Sequence, residues 1–274
     1  MSVNSFIPEL WSSRILERLR KTLVFESLCN RDYEGEIRNV GDTVRINAIG
    51  PITIGTYTKN STTITPEILQ DEQTVLTINR ADYFAFYVDD VDARQASVNL
   101  LAAGMDEASY GLANSCDAYI ASLATNAGHI TSSTAVNSSN VLATVFTLAQ
   151  ALDESDVPTD NRWLVIPPWF KTKLLLAKVL VEPVAGEAFT NGRVGQVAGF
   201  TVYESNNLYN DGTDDYIMAG HPRAIAFANQ LNKIEAYRDT QRFADVVRGL
   251  HLYGASVIMP DALAVCKAHA GAES

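Results

Sequence analysis

The spacing of apolar residues changes character several times along the 274-residue chain, and each change predicts a different element. Leu10, Ile15, Leu16, Leu19 and Leu23 recur at helical intervals behind Pro8, which suits a first turn. Residues 8–23 therefore read as a short amphipathic helix. Between 41 and 80 the rhythm becomes one of alternation. Nine Thr and seven Ile fall there with a single aromatic residue, Tyr57. Thr43-Val44-Arg45-Ile46-Asn47 and Thr74-Val75-Leu76-Thr77-Ile78 alternate as strands do. Gly50-Pro51, Gly55 and the polar stretch Lys59 to Thr63 punctuate the interval, which predicts a long, irregular β-hairpin. Such a ribbon is poor in large apolar side chains and marginal by itself. It needs a surface to lie on, from its own domain or from another subunit.

A second strand-like run, Tyr83 to Val88, ends in Asp89-Asp90-Val91-Asp92. The three aspartates resemble a cation cluster, but a helix follows at once. Carboxylates at a helix start answer its free N–H groups and its dipole, so capping is the better reading. Val91, Val98, Leu101, Met105, Ala108, Leu112, Cys116, Tyr119 and Leu123 then step by three, four or seven, with no proline before Gly128. A helix of roughly 35 residues spans about 50 Å at 1.5 Å per residue. That is longer than a compact domain of this size needs. Cys116 lies on the apolar stripe and reads as a packed thiol rather than a nucleophile.

Residues 129–139 are polar and read as a linker. Beyond them the pattern is a mixed α+β one. A helix is expected over 140–154, with Val141, Leu142, Val145, Leu148 and Leu152 inward, then a buried strand from Arg162 to Ile166. Pro167-Pro168 breaks that strand, and a helix runs from Trp169 to Leu180, stopped before Pro183. Strands are expected around Phe200 to Tyr203 and Tyr216 to Met218, a helix from Arg223 to Leu231, and a strand at Ile234 to Ala236. The last strand runs from Leu250 to Met259 and is closed by Pro260, with Gly249 and Gly254 marking bends or bulges.

Composition narrows the class. Apolar residues make up 47% and charged residues 19%, which excludes disordered and collagen-like chains. The net charge of -11 argues against a protein whose main work is gripping phosphate backbones. The acidity is local: residues 51–160 carry three basic against fourteen acidic side chains, while the flanking segments balance. Arg14, Arg18 and Lys21 share one face of the first helix, either as a solvated face or as a basic arm laid on an acidic neighbour. Copies presenting the acidic middle repel at low salt, so self-association should strengthen as salt screens it.

Candidate chemistry is sparse. Cys29, Cys116 and Cys266 lie far apart, which fits a reducing compartment and no structural zinc. The start of the chain holds no signal-peptide core and no 18 consecutive apolar residues occur, so synthesis in the cytosol and no membrane association are expected. No nucleophile elbow, zinc-protease helix, phosphate loop or dinucleotide fingerprint is present. The glycines at 192, 195 and 199 read as turn residues. His129, His221, His251 and His269 share no ligand-like spacing, and Asp211 to Asp215 reads as a hairpin turn rather than a calcium loop. No catalytic residue, cofactor or metal ligand is therefore expected. A hydrolase with an unrecognised site, or a surface-layer or adhesin protein, are the alternative classes.

The order of elements, together with several stretches of sequence, is distinctive. The stretches are Phe6-Ile-Pro-Glu-Leu-Trp11, Leu23-Val-Phe25, Asn30-Arg-Asp-Tyr-Glu-Gly35, Gly41-Asp-Thr-Val-Arg45, Val88-Asp-Asp-Val-Asp92, Ala219-Gly-His-Pro-Arg-Ala224 and Arg248-Gly-Leu-His-Leu-Tyr-Gly254. In that order they resemble the major capsid (coat) proteins of tailed bacteriophages, of the Hong Kong 97-like fold. The resemblance runs from about Phe6 to Lys267. It implies an α+β subunit with an N-terminal arm (1–35), an extended β-hairpin or E-loop (36–90), a spine helix and peripheral domain (91–180), and an axial domain with a C-terminal β region (181–274). It further implies a non-enzymatic protein whose hexamers and pentamers form an icosahedral virion shell around double-stranded DNA, assembled in the host cytoplasm. Because the arm begins almost at Met1, a separate scaffolding protein is expected, besides a portal; DNA would be touched weakly and without sequence preference. Trp11, Arg14, Arg18, Tyr57, Lys59 and Asn60 are the candidate assembly contacts. Some relatives join a ribbon lysine to a neighbour's asparagine; Lys59 stands near the ribbon tip, where a solvated lysine is the plainer reading.

Overall fold

The Thr/Ile-rich stretch folds as its alternation predicts. A computed structural model describes residues 24–32, 43–49, 54, 56, 58–59, 71–89, 100–178, 193–241 and 243–272. After a short helix α1 (Phe25–Leu28), strands β1 (Thr43–Ile49) and β2 (Asp71–Thr77) pair antiparallel in unbroken register, from Thr43 opposite Thr77 to Ile49 opposite Asp71. They form a two-stranded sheet among the described residues. The base of the ribbon is buried, with Ile46, Leu76 and Ile78 packed on Ala226, Ala228 and Leu252. Farther out, Ile54 is 96% exposed.

Two residues after β2, strand β3 (Arg80–Asp89) begins a three-stranded sheet. Its other members are two fourteen-residue strands, β10 (Ile225–Arg238) and β11 (Ala244–Val257), in the order β10-β11-β3. The expected helix over 223–231 is thus wrong. Alanine-rich Arg223 to Leu231 favours a helix locally, but pairing along all of β11 supplies its backbone partners and buries Ala226 and Ala228 completely. The strand expected at 234–236 is the continuation of β10 beyond a bulge between Leu231 and Lys233. Gly249 and Gly254 mark close approaches rather than bulges: a Cβ at Gly249 would strike the Phe84 ring, and one at Gly254 the Thr77 carbonyl oxygen.

The long helix is α2 (Leu100–Ser122), about 35 Å at 1.5 Å per residue, extended by a 3-10 turn over Leu123–Asn126. The expected start near Val91 lies outside the described residues. Its buried stripe runs through Leu112, Ala113, Cys116, Asp117, Ile120, Ala121 and Ala124, with Cys116 fully buried as its spacing predicts. Tyr119 and Leu123 lie only at the margin of that core.

The remaining elements build a seven-stranded sheet. They are β4 (His129–Ile130), β5 (Thr134–Val136), α3 (Val141–Glu154), β6 (Trp163–Ile166), α4 (Pro168–Leu176), β7 (Arg193–Val197), β8 (Phe200–Glu204), β9 (Asp215–Gly220) and β12 (Leu263–Ala270). The order is β4-β12-β9-β6-β8-β7, with β5 also paired to β12. Three parts of this sheet depart from expectation, the first being β7, which holds Gly195 within a strand beside a register shift rather than in a turn. Residues 129–139 are not a plain linker, because β4 and β5 lie parallel to β12. The chain also makes this further strand after Pro260. All-apolar β6 shows how the sheet is buried on both faces: Trp163 and Val165 join the core beneath α2, while Leu164 and Ile166 join the one beneath α3 and α4.

Candidate assembly interface

Strand β3 carries aromatic side chains on both faces. Phe84 and Phe86 pack into the core shared with α2, while Tyr83, one residue away and therefore on the opposite face, is 78% exposed, and Tyr87 is exposed beside it. Two strands over, Tyr237 lies under the Arg248 guanidinium at 5.1 Å, and Arg248 is also paired with Glu235 at 2.5 Å. Between these strands runs an open groove of about 480 Å³, lined by Tyr83, Ala85, Tyr237, Arg248 and Leu250. Phe243, in the turn joining β10 to β11, is 82% exposed. Aromatics left in water on one sheet face, with a rim of charges, form the kind of surface that contacts another protein. Among the described residues β3 is also an edge strand, and Tyr83 to Val88 contains none of the prolines or lysines that usually blunt an edge.

Among the described residues the interior holds polar groups but no assembled catalytic set. Asp82 accepts hydrogen bonds from Ser115 and Tyr253, tying the three-stranded sheet to α2. Beside Tyr253, His251 is fully buried and neither ring nitrogen has a hydrogen-bond partner among the described residues. Burial pushes the Cys29, Cys116 and Cys266 thiols up, so none is an activated nucleophile. His269 meets Asp214 at 2.7 Å, but Ser133 donates to that same carboxylate rather than to the imidazole, so the serine has no base. The segment from Asn210 to Asp215 is a hairpin turn in which Asp211 accepts the N–H groups of Thr213 and Asp214. Among the described residues no group of His, Cys, Asp or Glu is placed to hold a metal ion, and no helix is long and apolar enough to cross a membrane.

A model of the phage capsid protein family matches residues 71–268, nearly the whole of the described fold after β1. The chain belongs to the phage capsid protein family. The capsid protein is similar to a structure from Mycobacterium phage Che8, with 29% identity, 97% of this chain and 98% of that one covered, and a TM-score of 0.76. Its fold is shared with the capsid of cyanophage P-SCSP1u, at 18% identity, 92% and 89% coverage and a TM-score of 0.72. It is shared as well with the capsid of Ralstonia phage GP4, at 13% identity, 92% coverage of each chain and a TM-score of 0.66. No curated protein matches the capsid protein in sequence. The fold is thus the Hong Kong 97-like one, and the molecule is a structural, shell-forming protein of the virion that assembles with copies of itself. The hydrolase and surface-layer readings find no support in these relatives.

Of the residues singled out in the sequence, Lys59 occupies an exposed turn of the ribbon. Trp11, Arg14, Arg18, Tyr57 and Asn60 lie outside the described residues, so no shared surface is described for the six. The tyrosine face was not picked out by pattern. Its signal was nevertheless there: in Tyr83-Phe84-Ala85-Phe86-Tyr87 both faces of a strand are aromatic, whereas a sheet packed on one side needs only one apolar row.

Proposed function

We propose that the capsid protein is the major coat subunit of a tailed phage and that its ribbon, within residues 36–90, lies over the tyrosine face of the adjacent copy. The observation that carries this reading is the pairing of two incomplete surfaces. A two-stranded ribbon holds Ile54 almost wholly in water, and among the described residues no segment covers the groove bounded by Tyr83 and Tyr237. Side chains of this size left in water on both surfaces are covered together if one copy's ribbon enters the other's groove. Residues 1–35 would serve as an arm, 91–180 as spine and peripheral region, and 181–274 as axial region of hexamers and pentamers in an icosahedral shell. Lys59, Tyr57 and Asn60 near the ribbon tip, and Trp11, Arg14 and Arg18 in the arm, are the contacts we assign to this assembly. The net charge of -11 favours weak, non-specific contact with packaged double-stranded DNA, and the subunit has no catalytic role in this reading. A separate scaffolding protein and a portal would guide closure in the host cytoplasm. Deleting residues 52–64 tests the central point: the subunit should stay folded by circular dichroism yet fail to form closed shells in negative-stain images. Normal shells from the deletion would overturn the assignment.

A further inference from the structure

Toward the end of the segment assigned to the arm, the nine residues 24–32 are held to the body of the subunit by buried side chains, hydrogen bonds and an ion pair. Phe25 is fully buried, and Glu26, Leu28 and Cys29 are buried beside it. Asp117, on the buried stripe of α2, accepts the backbone N–H groups of Val24 at 3.2 Å and Phe25 at 3.0 Å through Oδ1. Its Oδ2 accepts Nδ2 of Asn207, from the loop after β8, at 3.1 Å. At the other end, Asn30 adds to the edge of β10. Its N–H donates to the Ile225 carbonyl at 2.8 Å, and its carbonyl accepts the Phe227 N–H at 2.9 Å. Arg31 closes the arrangement by pairing with Glu26 at 2.6 Å and donating to Asn229, which in turn donates to Glu26.

We propose that residues 24–32 are a clip that sets the directions in which both chain extensions leave the subunit, and that Asp117 is its positioning residue. A carboxylate with only 3% exposure is a poor choice for stability alone. Burial penalises its charged form, and an apolar residue of similar size would avoid that cost. Its burial also raises its pKa, against the pull of the donors around it. What the carboxylate provides, and an apolar side chain does not, is direction. It has two acceptor oxygens, one aimed at the entering backbone and one at the axial loop, so three segments distant in sequence are oriented about a single group. Chain entry at Val24 is fixed by Asp117, and exit past Asp32 by the bridge at Asn30. A shell subunit must present its extensions to neighbours at reproducible angles, and a clip at their shared root does this for both. The inference rests on the reading that those extensions contact neighbouring copies, but the clip itself is testable in the free subunit.

The experiment uses the full chain with Asp117→Asn, Asn207→Asp and the double variant. The first leaves an oxygen for the Val24 and Phe25 N–H groups but turns an amide donor toward the donor of Asn207. The second sets two carboxylates face to face. The double variant exchanges the two side-chain types and restores complementarity. Hydrogen exchange at the Val24 and Phe25 amides of unassembled subunits should rise about ten-fold in each single variant and return in the double. Closed-shell yield should fall and recover in parallel, while the melting temperature of the double variant stays at that of the parent. Unchanged exchange in both single variants would overturn the clip. Raised exchange with normal shells would overturn the positioning role, whatever the ribbon deletion shows. If Asp117→Asn does not fold, Asn207→Asp and the double variant carry the same comparison, and a folded double variant with opened amides refutes the proposal.

Discussion

Replacing Gly254 by alanine should loosen the ribbon from the subunit that carries it. Gly254 lies in β11 where the end of β2 crosses it. A Cβ there would sit 2.4 Å from the Thr77 carbonyl oxygen and 3.0 Å from the Ile78 Cα. An ordinary C···O contact is about 3.3 Å or more, so the two backbones must part by roughly 1 Å. No side chain can rotate away to relieve this, because the obstructing atoms are main chain. Overpacking of this kind costs about 1–3 kcal/mol, and at about 2 °C per kcal/mol for a large domain the midpoint should drop about 2–6 °C. Gly111 provides the control. It sits on the exposed side of α2 with nothing within 4 Å of a Cβ, so alanine there should raise stability by about 0.5–1 kcal/mol through helix propensity alone. Calorimetry or fluorescence melting of the two variants reads both signs. An unchanged midpoint for Gly254→Ala would mean that the ribbon base does not rest on β11 as described.

Two further outcomes follow from charge. Burial holds the His251 imidazole neutral, its pKa pushed down from 6.5 to about 4 despite the pull of Asp82. The unfolded chain takes up that proton first, so the stability from this group is complete above about pH 6.5 and is lost as pH falls toward 4, at about 1.4 kcal/mol per pH unit. His251→Leu should flatten that part of the acid profile in urea midpoints measured from pH 7 to 4; an unaltered slope would remove His251 from the account. Assembly should also rise with salt, because 14 acidic against 3 basic residues between 51 and 160 repel their counterparts until screened. Light scattering at 50 and 500 mM salt checks this, and yields that fall with salt would contradict it.

Much of the fold was legible because its local and tertiary preferences agree. Alternation at Thr43 to Asn47 and Thr74 to Ile78 predicts the paired strands, and the three-and-four spacing through Leu112 and Cys116 predicts the long helix. The failures have physical causes. Arg223 to Leu231 reads as helix, since alanines say little about a strand whose partners lie far downstream in a long hairpin, from His251 opposite Leu231 to Val257 opposite Ile225. The strand from Leu263 to Ala270 is similarly disguised by three alanines and a lysine, and β4 and β5 are too short to show any period. Asp117 was hidden for another reason. It looks like any helix carboxylate until the buried stripe is seen to pass through Ala113, Asp117 and Ala121 as well as Leu112, Cys116 and Ile120. A lone charge between small residues on an apolar face was the available signal.

Cryo-electron microscopy of shells grown from the purified protein, with a scaffolding protein if one is required, bears most directly on the central claim. The account predicts that density for residues 52–64 of each subunit crosses onto the Tyr83 and Tyr237 face of the copy beside it, at every equivalent contact. Shells in which that density folds back onto its own subunit, leaving the tyrosines in solvent, would contradict it.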